Sequence, residues 1–83
     1  MNASVIIRDY EGRVIRRSKN LRGIRDYPCY VERVDMWGAQ LGVTWLNGAF
    51  TIVNFADANM LRQWVGRRRM FSSAKINDHG VTK

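Results

Sequence analysis

The chain has 83 residues and a mass of 9.6 kDa, which is room for one hydrophobic core and excludes a Rossmann fold, a (β/α)8 barrel or a multi-domain enzyme. A hydrophobic share of 46% with nine aromatic residues excludes a disordered chain. Fourteen Lys and Arg against seven Asp and Glu leave a net charge of +7, and eleven of the fourteen cations are Arg, whose planar bidentate donors suit phosphate and carboxylate, so an acidic partner is expected.

In chain order, Val5, Ile6 and Ile7 form a β-branched run, Asp9-Tyr10-Glu11-Gly12 a turn, and Arg13 to Arg16 a second extended run, together an opening hairpin. Ser18 stands as an N-cap before Leu21, Ile24 and Tyr27, whose spacing predicts a helix over Lys19 to Tyr27 that Pro28 ends. Gly23 inside it costs roughly 1 kcal/mol against Ala, so this helix must lean on tertiary contacts. Tyr30 to Trp37 reads as a third strand, ended by Gly38.

Asn47-Gly48 between two strand-like runs predicts a two-residue type I′ hairpin turn. That turn pairs Leu46 with Ala49, Trp45 with Phe50, Thr44 with Thr51 and Val43 with Ile52. With a side-chain period of two it places Leu41, Val43, Trp45, Phe50 and Ile52 on the core face. Asp57 then caps a helix with the apolar stripe Met60, Leu61, Trp64 and Val65, running to about Arg69. The expectation is a single α+β domain over residues 1–71, a mostly antiparallel sheet of about five strands with two helices in the order β-β-α-β-β-β-α. Met70 and Phe71 anchor its end, and residues 72–83, without periodicity, are expected to be a flexible tail.

The charge is segregated. Residues 13–25 hold Arg13, Arg16, Arg17, Lys19, Arg22 and Arg25 with no acid, and residues 62–77 hold Arg62, Arg67, Arg68, Arg69 and Lys75 with none. Residues 34–61 between them carry Asp35 and Asp57 and no base. Two Arg-rich blocks attached to predicted helices read as docking patches, and the binding residues expected are Arg13, Arg16, Arg17, Lys19, Arg22, Arg25, Arg62, Arg67, Arg68 and Arg69. Trp45 and Trp64 fall on expected core faces, leaving Trp37 as the tryptophan expected to be exposed.

Chemistry is not encoded in any motif of the chain. Cys29 has no second cysteine to pair with, and a lone His79 builds no zinc site. A catalytic Cys29 would need a base, and His79 lies in the expected tail. Glycine-rich phosphate loops, Ser-His-Asp sets and nucleotide fingerprints are likewise missing, so a non-enzymatic binding module is expected, with no catalytic residue, cofactor, metal or small-molecule substrate. Arg8 and Asp9 interrupt the start of the chain where an export signal needs its apolar region, so neither an export signal nor a membrane span is expected, and the expected location is the cytoplasm.

The segments Ser18-Lys19-Asn20-Leu21-Arg22-Gly23-Ile24, Asn47-Gly48-Ala49 and Phe55-Ala56 followed by Leu61, Trp64-Val65 and Arg67-Arg68-Arg69 resemble the short accessory proteins of phages and prophages, a group that includes anti-CRISPR inhibitors. The resemblance spans about residues 18–71. It implies a non-enzymatic inhibitor or adaptor that binds a host defence or nucleic-acid-processing complex in the cytoplasm of an infected bacterium. Acidic nucleic-acid mimics are common in that group, and this chain differs from them in being basic. The first functional reading is therefore an Arg-rich surface docking on an acidic protein surface, and the alternative is a general nucleic-acid binder contacting phosphates through the same arginines.

Overall fold

In the computed structural model, which describes residues 4–80, Asp9 turns the chain first. Its Oδ1 accepts from the backbone N–H groups of Glu11 and Arg13, both at 2.9 Å, and Gly12 takes a φ of +87° that side chains resist. This pairs β1 (Val5–Arg8) with β2 (Val14–Ser18) as an antiparallel hairpin. Further strands β3 (Val31–Trp37), β4 (Gln40–Trp45), β5 (Phe50–Asn54) and β6 (Lys75–Asp78) complete one sheet in the order β2-β1-β5-β4-β3-β6. Every pairing is antiparallel except β3 with β6. Two helices, α1 (Arg22–Arg25) and α2 (Ala58–Gly66), and a 3-10 turn at Arg69–Phe71 pack on one face. The α+β class is the expected one, with one strand more.

The first helix is shorter than its apolar spacing suggests. It makes a single turn, and Ser18 ends β2 instead of capping α1, its hydroxyl bonding to the backbone of Asn20. Leu21 and Ile24 are buried as expected. Gly23 is where α1 meets the sheet: a Cβ there would lie 2.4 Å from Ser18 Cβ and 2.8 Å from its Oγ. Gly23→Ala should therefore destabilise, because overpacking at about 1–3 kcal/mol outweighs the roughly 1 kcal/mol that alanine gains in helix propensity. A thermal melt that rises on this substitution would overturn that packing.

The central hairpin departs from the expected turn by one residue. Trp45 N donates to Ala49 O at 2.9 Å and Gly48 N donates to Trp45 O at 3.0 Å, which makes Leu46–Gly48 a three-residue connection. Gly48 has a φ of +87°, while no non-glycine residue described has a positive φ, so Asn47 does not meet the type I′ requirement. Instead Asn47 Nδ2 donates to the Tyr27 hydroxyl at 2.8 Å and its Oδ1 accepts from Ala49 N at 2.9 Å. The consequence runs the length of the hairpin: Thr44 faces Phe50, Val43 faces Thr51 and Leu41 faces Val53. On β4 the core face is as expected, with Leu41, Val43 and Trp45 buried. On β5 it is reversed, with Ala49, Thr51 and Val53 buried and Phe50 and Ile52 on the opposite side.

Asp57 caps α2 as its sequence position predicts, Oδ1 accepting from Met60 N at 2.8 Å. Leu61 and Val65 enter the core, and the helix stops at Gly66 instead of Arg69, the chain tightening into the 3-10 turn that buries Phe71. Residues 75–78 correct the expected tail: they form β6, parallel to β3 with Arg33 opposite Lys75 and Asp35 opposite Asn77. The strand has no hydrophobic alternation to announce it, and polar side chains distant in sequence hold it. The last three residues of that tail lie outside the described residues. No described helix is long and apolar enough to cross a membrane.

Candidate binding surfaces

Strand alternation distributes the first basic block over both layers. Arg16 pairs with Ile7, a core-face residue, and its guanidinium lies 5.4 Å from the centre of the Tyr27 ring. Arg17, next in sequence, pairs with Ile6 on the far face of the sheet. Arg13 is held in the first turn by Glu11 and, at 3.7 Å, by Asp9. Lys19 is exposed after β2, and Arg22 and Arg25 are exposed on α1, with Asp26 3.9 Å from Arg25.

In the second block Arg62 has a structural partner, its guanidinium donating to both oxygens of Asp78 at 2.9 and 3.2 Å and so fastening β6 to α2. Hydrogen bonding from Arg62 draws the Asp78 carboxyl below its ordinary value, and the same bond raises Arg62. Arg68 lies 4.9 Å over the Trp64 ring, while Arg67 and Arg69 are exposed. Among the described residues, Arg16, Arg17, Lys19, Arg22, Arg67, Arg68 and Arg69 have no carboxylate in ion-pair range.

A groove of ≈ 220 Å³ on the helical side is lined by two arginines of the second block and by no cation of the first. Leu21 from the first block and Arg67 and Arg68 from the second line it, with Phe55, Met60, Gln63 and Trp64 between them. The floor is apolar and the arginines stand at its edge.

The opposite face of the sheet bears a second constellation that reading the sequence did not single out. Asp35, 7% exposed, is its hub: Arg33 Nε donates to one oxygen at 2.9 Å, and Asn77 Nδ2 at 3.2 Å and His79 Nε2 at 3.0 Å meet the other. Burial opposes the Asp35 charge, but the bonds from His79, Asn77 and Arg33 prevail and hold its carboxyl below the ordinary value. His79, expected in a loose tail, is stacked on Trp37 with ring centres 5.1 Å apart and planes 9° from parallel. Trp37 is 39% exposed, in keeping with its position beside Gly38. The alternation Arg33, Asp35, Trp37 along β3 is the sequence signal for this face; Asn77 and His79 carry none until β6 is paired.

Stability should therefore depend on pH through Asp35. A carboxyl whose folded pKa lies below its unfolded value of about 3.8 contributes fully above that value, and the contribution is lost as pH falls through the folded pKa. Thermal melts from pH 7 down to pH 2.5 should show the midpoint falling below about pH 4, and Asp35→Asn should lower the neutral midpoint while flattening this acid limb. An unchanged acid limb in Asp35→Asn would show that Asp35 does not supply it.

Comparison of the chain with family models, with curated proteins and with solved structures finds no match in any of the three.

Proposed function

We propose that the protein is a basic docking module whose helical face binds an acidic surface of a partner protein, in the manner of a phage-type inhibitor or adaptor acting on a host complex. The observation that carries this reading is the groove where Leu21, Met60 and Trp64 form an apolar floor beside Arg67 and Arg68. An apolar centre with a charged rim is the anatomy of a protein interface, since the centre supplies affinity and the rim supplies orientation and on-rate. Arginines without carboxylate partners of their own are free to pair with carboxylates brought by the partner.

The test is capture of partners from bacterial lysate after nuclease treatment, with wild type and with the double variant Arg67→Glu, Arg68→Glu. Both side chains lie at the surface side of the groove, so the circular dichroism spectrum should be retained while affinity for the captured partner falls about 30-fold or more. Equal capture by the folded double variant would refute docking through this groove. Capture that disappears on nuclease treatment, with a log–log salt slope near −5 as expected for about six phosphate contacts, and that the folded double variant lacks, would instead establish the nucleic-acid reading for the same arginines.

A further inference from the structure

The open face of the sheet, opposite the helices, carries a row of paired residues that crosses all six strands: Val14, Arg8, Phe50, Thr44, Arg33 and Lys75. Strand spacing makes this row about 24 Å long. Cations occupy three of its positions and an aromatic ring one. Four residues further along β3, about 13 Å away, Trp37 places a second ring, 39% exposed, with one face stacked by the His79 imidazole. Between Trp37 and Phe50 lies a shallow hollow of ≈ 330 Å³, floored by Gly42, Thr44 and Ile52. Gly42 makes the hollow possible, since a Cβ there would come within 2.9 Å of the Trp37 ring.

We propose that this open face binds single-stranded nucleic acid, with bases stacking on Phe50 and Trp37 and the backbone running past Arg8, Arg33 and Lys75. An exposed indole and a half-buried phenyl ring interleaved with cations on a sheet surface match the two chemistries of an unpaired strand, a π-face on every base and a charge on every phosphate. A duplex offers the charge but hides the faces of its bases. A second copy of this chain fits poorly, because its own Arg8, Arg17 and Lys75 would be brought against the same cations. Asp35 also lines the hollow, but it is 7% exposed and its oxygens are bonded to Arg33, Asn77 and His79, so it sets no unpaired negative charge before a phosphate backbone.

The site is on the other side of the sheet from the Arg67 and Arg68 groove and is tested without any protein partner, so the failure of either reading leaves the other standing. Purified full-length protein is titrated into fluorescein-labelled 15-mers of deoxythymidine and of uridine, and into a duplex of the same length, with anisotropy as the readout. Binding of at least one single-stranded oligomer with clear preference over the duplex is expected, and the two arms distinguish DNA from RNA. Phe50→Leu and Trp37→Leu should each weaken it about fivefold or more, and the ligand-induced quenching of tryptophan fluorescence should be lost in Trp37→Leu. Lys75→Gln should reduce the log–log salt slope by about 0.7, one phosphate contact on a single strand. Circular dichroism confirms the fold of each variant. Absence of binding at low salt, equal affinity for the duplex, or folded Phe50→Leu and Trp37→Leu proteins that bind as wild type would each overturn the proposal.

Discussion

Trp45→Ala is expected to lower the thermal midpoint by more than about 15 °C. Trp45 is fully buried at the centre of the core, in edge-to-face contact with Tyr27 at 4.9 Å between ring centres. Removing an indole from such a site costs about 3–5 kcal/mol through lost contacts and the cavity left behind, a large part of what an 83-residue domain has. Its Nε1 is buried without a hydrogen-bond partner among the described residues, a cost that the packing of the ring offsets. Trp45→Phe removes that orphan donor and retains most of the volume, so its melt should lie far closer to wild type than that of Trp45→Ala. A Trp45→Ala protein melting within a few degrees of wild type would show that the ring does not organise the core.

A second large effect should separate two neighbours on one strand. Thr51 is 2% exposed and its hydroxyl donates to Ile6 O, whereas Ile52 is 54% exposed on the open face. Thr51→Glu should leave the chain largely unfolded at neutral pH, because a carboxylate is forced into the core with no cation to meet it and costs several kcal/mol. Ile52→Glu should fold, with a midpoint within a few degrees of wild type. The type I′ register reverses these outcomes, since it buries Ile52 and exposes Thr51. Urea melts of the two variants side by side therefore measure the register of the hairpin: an unfolded Ile52→Glu with a stable Thr51→Glu would overturn the three-residue turn.

What the linear sequence determined by itself was whatever a few adjacent residues decide among themselves. Asp57 caps α2 because its carboxylate needs only the N–H of Met60, three residues on. The first turn closes because Asp9 needs only Glu11 and Arg13. The burial of Leu41, Val43 and Trp45 follows from alternation within one strand, and the exposure of Trp37 from its place beside a strand-ending glycine. Those local rules were enough for the α+β class and for most of the core. The segregation of the arginines was equally plain in the sequence, though not their partition between the two faces by strand parity.

Tertiary structure alone decided the choices that distant partners make. Asn47 bonds to Tyr27, twenty residues earlier, so the hairpin takes its three-residue form and β5 turns over, a change of one residue that moves Phe50 and Ile52 from core to open face. β6 exists because Asp35 gathers Asn77 and His79 and because Arg62 reaches Asp78, contacts spanning 42, 44 and 16 residues. Helix α1 makes a single turn, and its Gly23 lies against Ser18 of β2. The meeting of Leu21 with Arg67 and Arg68 at one groove, and of Trp37 with His79 on the other face, has the same origin: each joins segments that no local pattern connects, and only the packing of helices and strands brings them within reach.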